Sequence, residues 1–150
     1  MKKLISIVTP TFNEKDNIKP LCLAISTQME KLNYEYEHIV IDNCSNDGTI
    51  ETLRKLTKTF KNLKVIVNSR NFGHIRSPVH GMFQAKGEAV ILMMSDFQDP
   101  IDLIPMYITE WENGNKVVMA QKNTSDENFI LQYIKKIFYK FANKVSDTPL

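Results

Sequence analysis

The chain has 150 residues, 43% of them hydrophobic and 24% charged, which suits one domain with its own core or part of a larger one. Nineteen Lys and Arg against seventeen Asp and Glu leave a net charge of +2, which argues against a nucleic-acid binder that works by neutralising phosphates. The longest apolar runs fall far short of the roughly 20 residues that cross a bilayer, and Met1-Lys2-Lys3 leads into a strand-like run without a signal-cleavage pattern. Cys22 and Cys44 lie far apart without C-x-x-C or Cys/His metal spacing, which predicts a reduced, cytoplasmic setting.

Leu4 to Val8 is short, apolar and β-branched, and Pro10 closes it, so it reads as a buried strand ending at a loop. Ile18, Leu21, Cys22, Ile25, Met29 and Leu32 follow helical spacing, with Asp16 or Asn17 as the cap. The unit repeats: His38 to Ile41 form a strand, Ser45-Asn46-Asp47-Gly48 a turn and cap, and Ile50, Leu53, Leu56 and Phe60 a helical stripe. A strand at Leu63 to Val67 and a helix over Gly73 to Ala85 follow, with Pro78 better suited to an early turn than to an interior position. Ala89 to Met94 predicts another apolar strand, Ile101 to Trp111 a helix, Asn113-Gly114-Asn115 a break and Val117 to Ala120 a last strand. Short apolar strands alternating with helices predict a mostly parallel sheet covered on both faces, an α/β/α sandwich of Rossmann-like type.

Residues 126–146 differ. Phe129, Ile130, Tyr133, Ile134, Ile137, Phe138, Phe141, Ala142 and Val145 form an apolar stripe, while Lys135, Lys136, Lys140 and Lys144 take other positions. This is the pattern of a basic amphipathic helix. Two uses stay open: packing against its own domain or a second copy of the chain, or lying on an anionic membrane surface.

In an open parallel sheet ligands bind beyond the carboxyl ends of the strands. Three polar segments fall there: Thr9 to Glu14, Asp42 to Ser45, and Ser95 to Asp99. The G-x-G-x-x-G turn of dinucleotide folds and the G-x-x-x-x-G-K-[ST] phosphate loop are both missing, which weakens a dehydrogenase or P-loop reading. Asp96, Gln98 and Asp99 offer hard oxygen ligands suited to Mg²⁺ or Mn²⁺ bridging a diphosphate, although Asp residues serve turns and caps equally well. His74 and His80, six apart, share no clean helical face, which fits surface or cleft-lining places rather than a metal site. Arg70 suits a phosphate contact or a structural ion pair, and Met93-Met94 suits core at a strand end.

Together the segments Val8-Thr9-Pro10-Thr11-Phe12-Asn13-Glu14, Ile41 to Thr49, Arg70-Asn71-Phe72-Gly73, Ala85-Lys86-Gly87-Glu88 and Ser95-Asp96-Phe97-Gln98-Asp99-Pro100 resemble family 2 glycosyltransferases, nearest the dolichyl- or polyprenyl-phosphate sugar synthases. Trp111, Gly114, Val117-Val118 and Phe138-Tyr139 extend the likeness along nearly the whole chain. The resemblance implies a GT-A fold and an inverting enzyme of cell-envelope polysaccharide synthesis. Such an enzyme moves a sugar from a nucleotide-diphosphate-sugar donor to a polyprenyl phosphate or a surface glycan, at the inner face of the membrane. It implies donor-binding roles for Pro10, Phe12, Glu14, Asp42, Ser45, Asn71, Gly73 and Asp96, the first four around base and ribose. It places Asp96 and Gln98 around a divalent metal, Mg²⁺ or Mn²⁺, and Lys122 where relatives carry an Arg that approaches phosphate. Asp99 is a candidate catalytic base by proximity.

The chain also departs from the family pattern. Met94 stands where D-x-D-L-Q-D-P has its first Asp, and Asn43-Cys44 replace the second Asp and the Gly of D-D-G-S. Residues 1–150 thus read as the nucleotide-sugar-binding domain, ending ahead of the family's acceptor segment. A donor-binding but catalytically impaired module, or an assembly or membrane-docking domain, are the alternatives.

Overall fold

A computed structural model describes residues 2–121. Four apolar runs pair into one sheet: β1 (Leu4–Thr11), β2 (Glu35–Asp42), β3 (Leu63–Val67) and β4 (Ala89–Leu92). The order is β3-β2-β1-β4, and each described pairing is parallel. Between the strands run α1 (Lys15–Glu30), α2 (Thr49–Thr59) and α3 (Gly73–Phe83); a 3₁₀ turn at Ile101–Leu103 leads into α4 (Ile104–Glu112).

Alternation along the strands sorts the two faces. Ile5 and Ile7 of β1, Val40 of β2 and Ile91 of β4 share one core cluster with Ile18, Leu21 and Ile25 of α1, Leu53 and Leu56 of α2, and Ile104 and Ile108 of α4. The opposite face carries α3. A Cβ at Gly81 would lie 2.8 Å from Val8 Cγ1 and 3.1 Å from Ile41 Cγ2, so only glycine lets this helix settle on the sheet. The expected sandwich is therefore present, with its central strand β1 buried from Ile5 to Thr11.

Several boundaries differ from the sequence expectation. β1 does not close at Pro10 but runs through it, Pro10 facing Ile41. Val8 O accepts Met93 N on the β4 side and Thr11 O accepts Asn43 N on the β2 side, so alternation aims Pro10, like Val8, toward β4. The β4 pairing ends at Leu92, opposite Val8, so the missing Pro10 N–H leaves no ladder bond unmade. α1 begins at Lys15, which puts Asp16 and Asn17 inside its first turn rather than at the cap; Asn17 Nδ2 donates to Glu14 Oε2 at 2.7 Å. Pro78 lies inside α3, leaving the His74 carbonyl without its helical donor.

β4 is shorter than expected and half covered, with Val90 and Leu92 exposed. Val117 to Ala120 form no strand: a strand needs a partner ladder, none is present for them among the described residues, and Val117 is 80% exposed. The expected helix at 126–146 lies outside the described residues. Among the described residues no helix is long and apolar enough to cross a membrane.

Candidate active site

The β1–α1 turn carries Phe12 and Glu14, and the β2–α2 turn holds it in place. Three successive amides of the first turn donate into the second: Asn13 N to Ser45 Oγ at 2.8 Å, Glu14 N to Thr49 Oγ1 at 3.0 Å and Lys15 N to Asp47 Oδ2 at 3.1 Å. Asn46 N returns a bond to Asn13 Oδ1 at 3.0 Å, and Asn13 sits at φ 57°, a conformation Asn tolerates better than most residues. Asp47 Oδ1 also accepts Thr49 N and Thr49 Oγ1, opening α2. Small polar residues at 45–49 thus do the work of two caps and a clasp.

Behind this clasp Asp42 is fully buried. Its carboxylate accepts Ser45 N at 2.9 Å and Ser45 Oγ at 2.5 Å, which satisfies the burial cost within the protein. Asp42 and Ser45 therefore stand behind the cleft wall rather than on its surface.

A second polar network fixes the loop before α3. Asn43 Nδ2 donates to Asn71 Oδ1 at 2.8 Å, while Asn43 Oδ1 accepts Phe72 N at 2.9 Å and Asn68 Nδ2 at 3.2 Å. Asn71 Oδ1 also accepts Gly73 N at 2.8 Å, and Asn68 Nδ2 donates to Ser77 Oγ at 3.0 Å. Gly73 at φ 86° takes the left-handed turn that swings the chain into α3.

The two networks and the end of β4 enclose a cleft of about 370 Å³, within the usual size of small-molecule sites. It is lined by Pro10, Thr11, Phe12, Glu14, Asn43, Asn71, Gly73, His74, Ser77, Pro78, Met94, Ser95 and Asp96. Of the residues singled out from the sequence, Pro10, Phe12, Glu14, Asn71, Gly73 and Asp96 come together here. Gln98 and Asp99 share the loop of Asp96 but lie outside the lining: Asp96 Oδ1 accepts Gln98 N at 3.2 Å, and Asp99 Oδ2 faces Met94 N at 3.5 Å across the loop. Lys122 falls outside the described residues.

Sequence reasoning missed Asn68 and Ser77, and it placed Ser95 in the loop after β4 without giving it a role. Asn43, noted only as a departure from the family pattern, serves as donor and acceptor at once through its amide. Asn68 carried a signal, a polar residue immediately after the β3 apolar run. Ser77 carried none, being polar on a helix whose sheet-facing side emerges only from packing.

No group of three or more His, Cys, Asp or Glu suited to a metal ion occurs among the described residues. Cys22 belongs to the core, where burial pushes its thiol up to about 12, so it is inert at neutral pH. What the cleft offers is an aromatic wall, a half-buried carboxylate at Glu14, an amide at Asn71 and an exposed carboxylate at Asp96. That set can stack a ring, accept from its N–H or hydroxyl groups, and share a hard cation with a bound anion.

Comparison with known proteins identifies the family. Residues 6–149 match the model of glycosyl transferase family 2. The putative glycosyltransferase CsbB of Bacillus subtilis is 34% identical over 147 residues, covering 98% of this chain and 45% of the relative. The bactoprenol glucosyl transferase of Shigella phage SfV is 33% identical over 146 residues, covering 97% and 47%. The chain thus spans less than half the length of these curated relatives.

Among solved structures, S. aureus TarS 1-349 in complex with UDP-GlcNAc superposes with a TM-score of 0.57 at 24% identity, over 83% of this chain and 39% of that one. The mannosyltransferase PcManGT from Pyrobaculum calidifontis, in complex with GDP-Man and Mn²⁺, gives 0.54 at 20% identity, over 67% and 34%. The fold is GT-A, and the chain belongs to glycosyl transferase family 2.

Proposed function

We propose that this chain is the donor-binding part of an inverting glycosyltransferase that moves a sugar from a nucleotide-diphosphate sugar to a polyprenyl phosphate, or to a surface glycan, in cell-envelope synthesis. The observation that carries the reading is the cleft itself, where Phe12, Glu14, Asn71 and Asp96 converge at the carboxyl ends of β1 and β4. Relatives named bactoprenol glucosyl transferase support a polyprenyl phosphate acceptor. Neighbours in complex with UDP-GlcNAc and with GDP-Man support the donor class.

Phe12 would cover one face of the base, and the Glu14 carboxylate would accept from a base N–H or a ribose hydroxyl. Asn71 keeps its Nδ2 donors for the ligand, its Oδ1 being taken by Asn43 and Gly73. Asp96 fits a divalent cation, Mg²⁺ or Mn²⁺: its Oδ2 makes no bond among the described residues, and such ions take one or two carboxylates when a diphosphate supplies the remaining oxygens. Gln98, two residues further along the same loop, would assist from outside the cleft lining. A bound cation would neutralise the charge that gathers on the leaving diphosphate.

An acceptor phosphate oxygen attacks the anomeric carbon from the face opposite the diphosphate, forming the new C–O bond as the old one breaks. The acceptor is already anionic and needs no general base, so Asp99 has no proton to take unless a sugar hydroxyl is the acceptor. The basic pattern at 126–146 would also suit placement at the anionic inner face of the membrane, where a lipid-linked acceptor resides. The same stripe suits a second copy of the chain.

Incubation with UDP-glucose or GDP-mannose, Mn²⁺ and a short-chain polyprenyl phosphate tests the reading. The expected result is a polyprenyl-phosphate sugar of inverted anomeric configuration, with one nucleoside diphosphate released per sugar transferred. A retained configuration, or no sugar transferred from either donor to the polyprenyl phosphate or to an envelope glycan offered in its place, would overturn it.

A further inference from the structure

We propose that the outer face of α3 docks on an anionic lipid surface. A helix that covers a sheet ordinarily turns its apolar stripe inward and its polar side to water. α3 does the reverse. Its buried side carries Ser77, Pro78 and Gly81, whereas Ile75, Val79, Met82 and Phe83, at helical spacing, fall together on the side turned to solvent. Ile75 is 67% exposed and Phe83 82%. Exposed apolar residues scattered singly need no explanation, but four along two turns of one helix face mark a partner.

Charge says which partner. Residues 52–87 hold eight of the chain's nineteen Lys and Arg and none of its seventeen Asp and Glu, although the chain as a whole is near neutral. Arg76 and His80 stand beside the apolar ridge, over the groove between α3 and β3, and Lys86 follows the end of the helix. Among the described residues neither Arg76 nor Lys86 has an ion pair. An apolar ridge set among cations suits a helix lying in the headgroup layer, where the ridge enters toward the acyl chains and the cations meet anionic heads. A nucleic acid would engage the cations but leave Ile75 and Phe83 in water. With 11 residues α3 is too short to span a bilayer, so it docks along the surface. Gly73 and His74 at the head of α3 line the cleft, so docking through α3 sets the cleft mouth beside the lipid. The use of that placement rests on the reading of a lipid-linked acceptor.

The test is co-sedimentation of the full chain with phosphatidylcholine vesicles containing about a quarter phosphatidylglycerol, for the wild type and for Ile75→Ser/Phe83→Ser, with calorimetric titration of UDP and GDP alongside. Both side chains are mostly in water, so the double variant should keep the fold and its nucleotide affinity. Its vesicle binding should be about 10-fold weaker or more. About 0.5 M NaCl, or vesicles of phosphatidylcholine alone, should weaken binding of the wild type. Residues 126–146 also carry a basic amphipathic pattern, so Phe83→Trp reports on α3 itself. The emission of the introduced indole should shift to the blue and be quenched by brominated lipid chains, beyond any change at Trp111, the single native Trp. Undiminished vesicle binding in the double variant, or an introduced indole that stays in water, overturns the proposal. So does a wild type that binds no vesicles; a dimer that the double variant dissociates would then give the face to a second copy of the chain. Vesicle binding through α3 in a folded chain that binds neither nucleotide supports the docking face and removes the cleft reading.

Discussion

Asn43 Oδ1 accepts the backbone N–H of Phe72 at 2.9 Å, tying the end of β2 to the turn that launches α3. Through this bond and the Asn43 Nδ2 contact to Asn71, one buried amide sets one wall of the cleft. Asn43→Ala leaves Phe72 N without its acceptor and Asn68 Nδ2 with Ser77 Oγ alone, and should cost about 2–3 kcal/mol of stability in urea unfolding. Nucleotide affinity should fall with it, because Asn71 and Gly73 lose their anchor. Full stability in the variant would show that the network is dispensable.

Phe12 should act more on binding than on stability. The residue is 45% exposed, so Phe12→Ala removes only part of a buried side chain and should cost about 1–2 kcal/mol of stability. Binding of UDP or GDP should weaken by roughly 10-fold or more if the ring stacks on the base. Equal affinity in a calorimetric comparison would remove Phe12 from the donor site.

Two buried titratable groups make stability depend on pH in the same direction. Burial pushes the His38 imidazole, which meets Thr9 Oγ1 at 2.9 Å, down from 6.5 to about 4. The unfolded chain takes up a proton near pH 6.5 and the folded one only near 4, so stability falls as pH drops through that window, by about 3 kcal/mol in all. At Glu37 burial raises the carboxyl, but hydrogen bonds from Lys64, Ser6 and the Lys86 amide outweigh it and hold the group below the usual range. Its stabilisation is present above about pH 4.5 and is lost as pH falls through the lower folded value. Unfolding free energies between pH 7 and 4 should therefore decline, and His38→Gln should flatten the decline. An identical slope in the variant would contradict the assignment.

The close approach of β1 makes Gly87 irreplaceable. A Cβ there would sit 2.6 Å from Ser6 N and 2.8 Å from Leu4 O, both backbone atoms that cannot rotate away. Gly87→Ala should destabilise by about 2 kcal/mol or more by displacing β1 or the α3–β4 connection. A thermal shift of less than a degree or two would show that the strand end yields easily.

The chain order of strands and helices was legible because each strand is a short β-branched run and each helix has an apolar stripe of its own. Pro10 misled because a proline ends a strand only where its N–H would have a partner, and the early end of β4 removes that partner. Val117 to Ala120 misled in reverse, an apolar run with strand propensity but no described ladder to join. Phe12, Glu14, Asn71 and Asp96 could be found because strand ends point to ligand sites and the motifs matched a family. The supporting bonds of Ser45, Asn43 and Asn68 could not, since a neutral polar side chain does not announce which neighbouring turn it will hold.

The most direct test of the account is calorimetric titration of UDP and GDP into the chain with and without Mn²⁺, repeated on Asp96→Ala. The account predicts that one nucleotide binds, that Mn²⁺ strengthens the binding, and that Asp96→Ala abolishes the metal's effect while the fold is kept. Failure of the folded wild-type chain to bind either nucleotide, or a metal effect that survives loss of the Asp96 carboxylate, would contradict it.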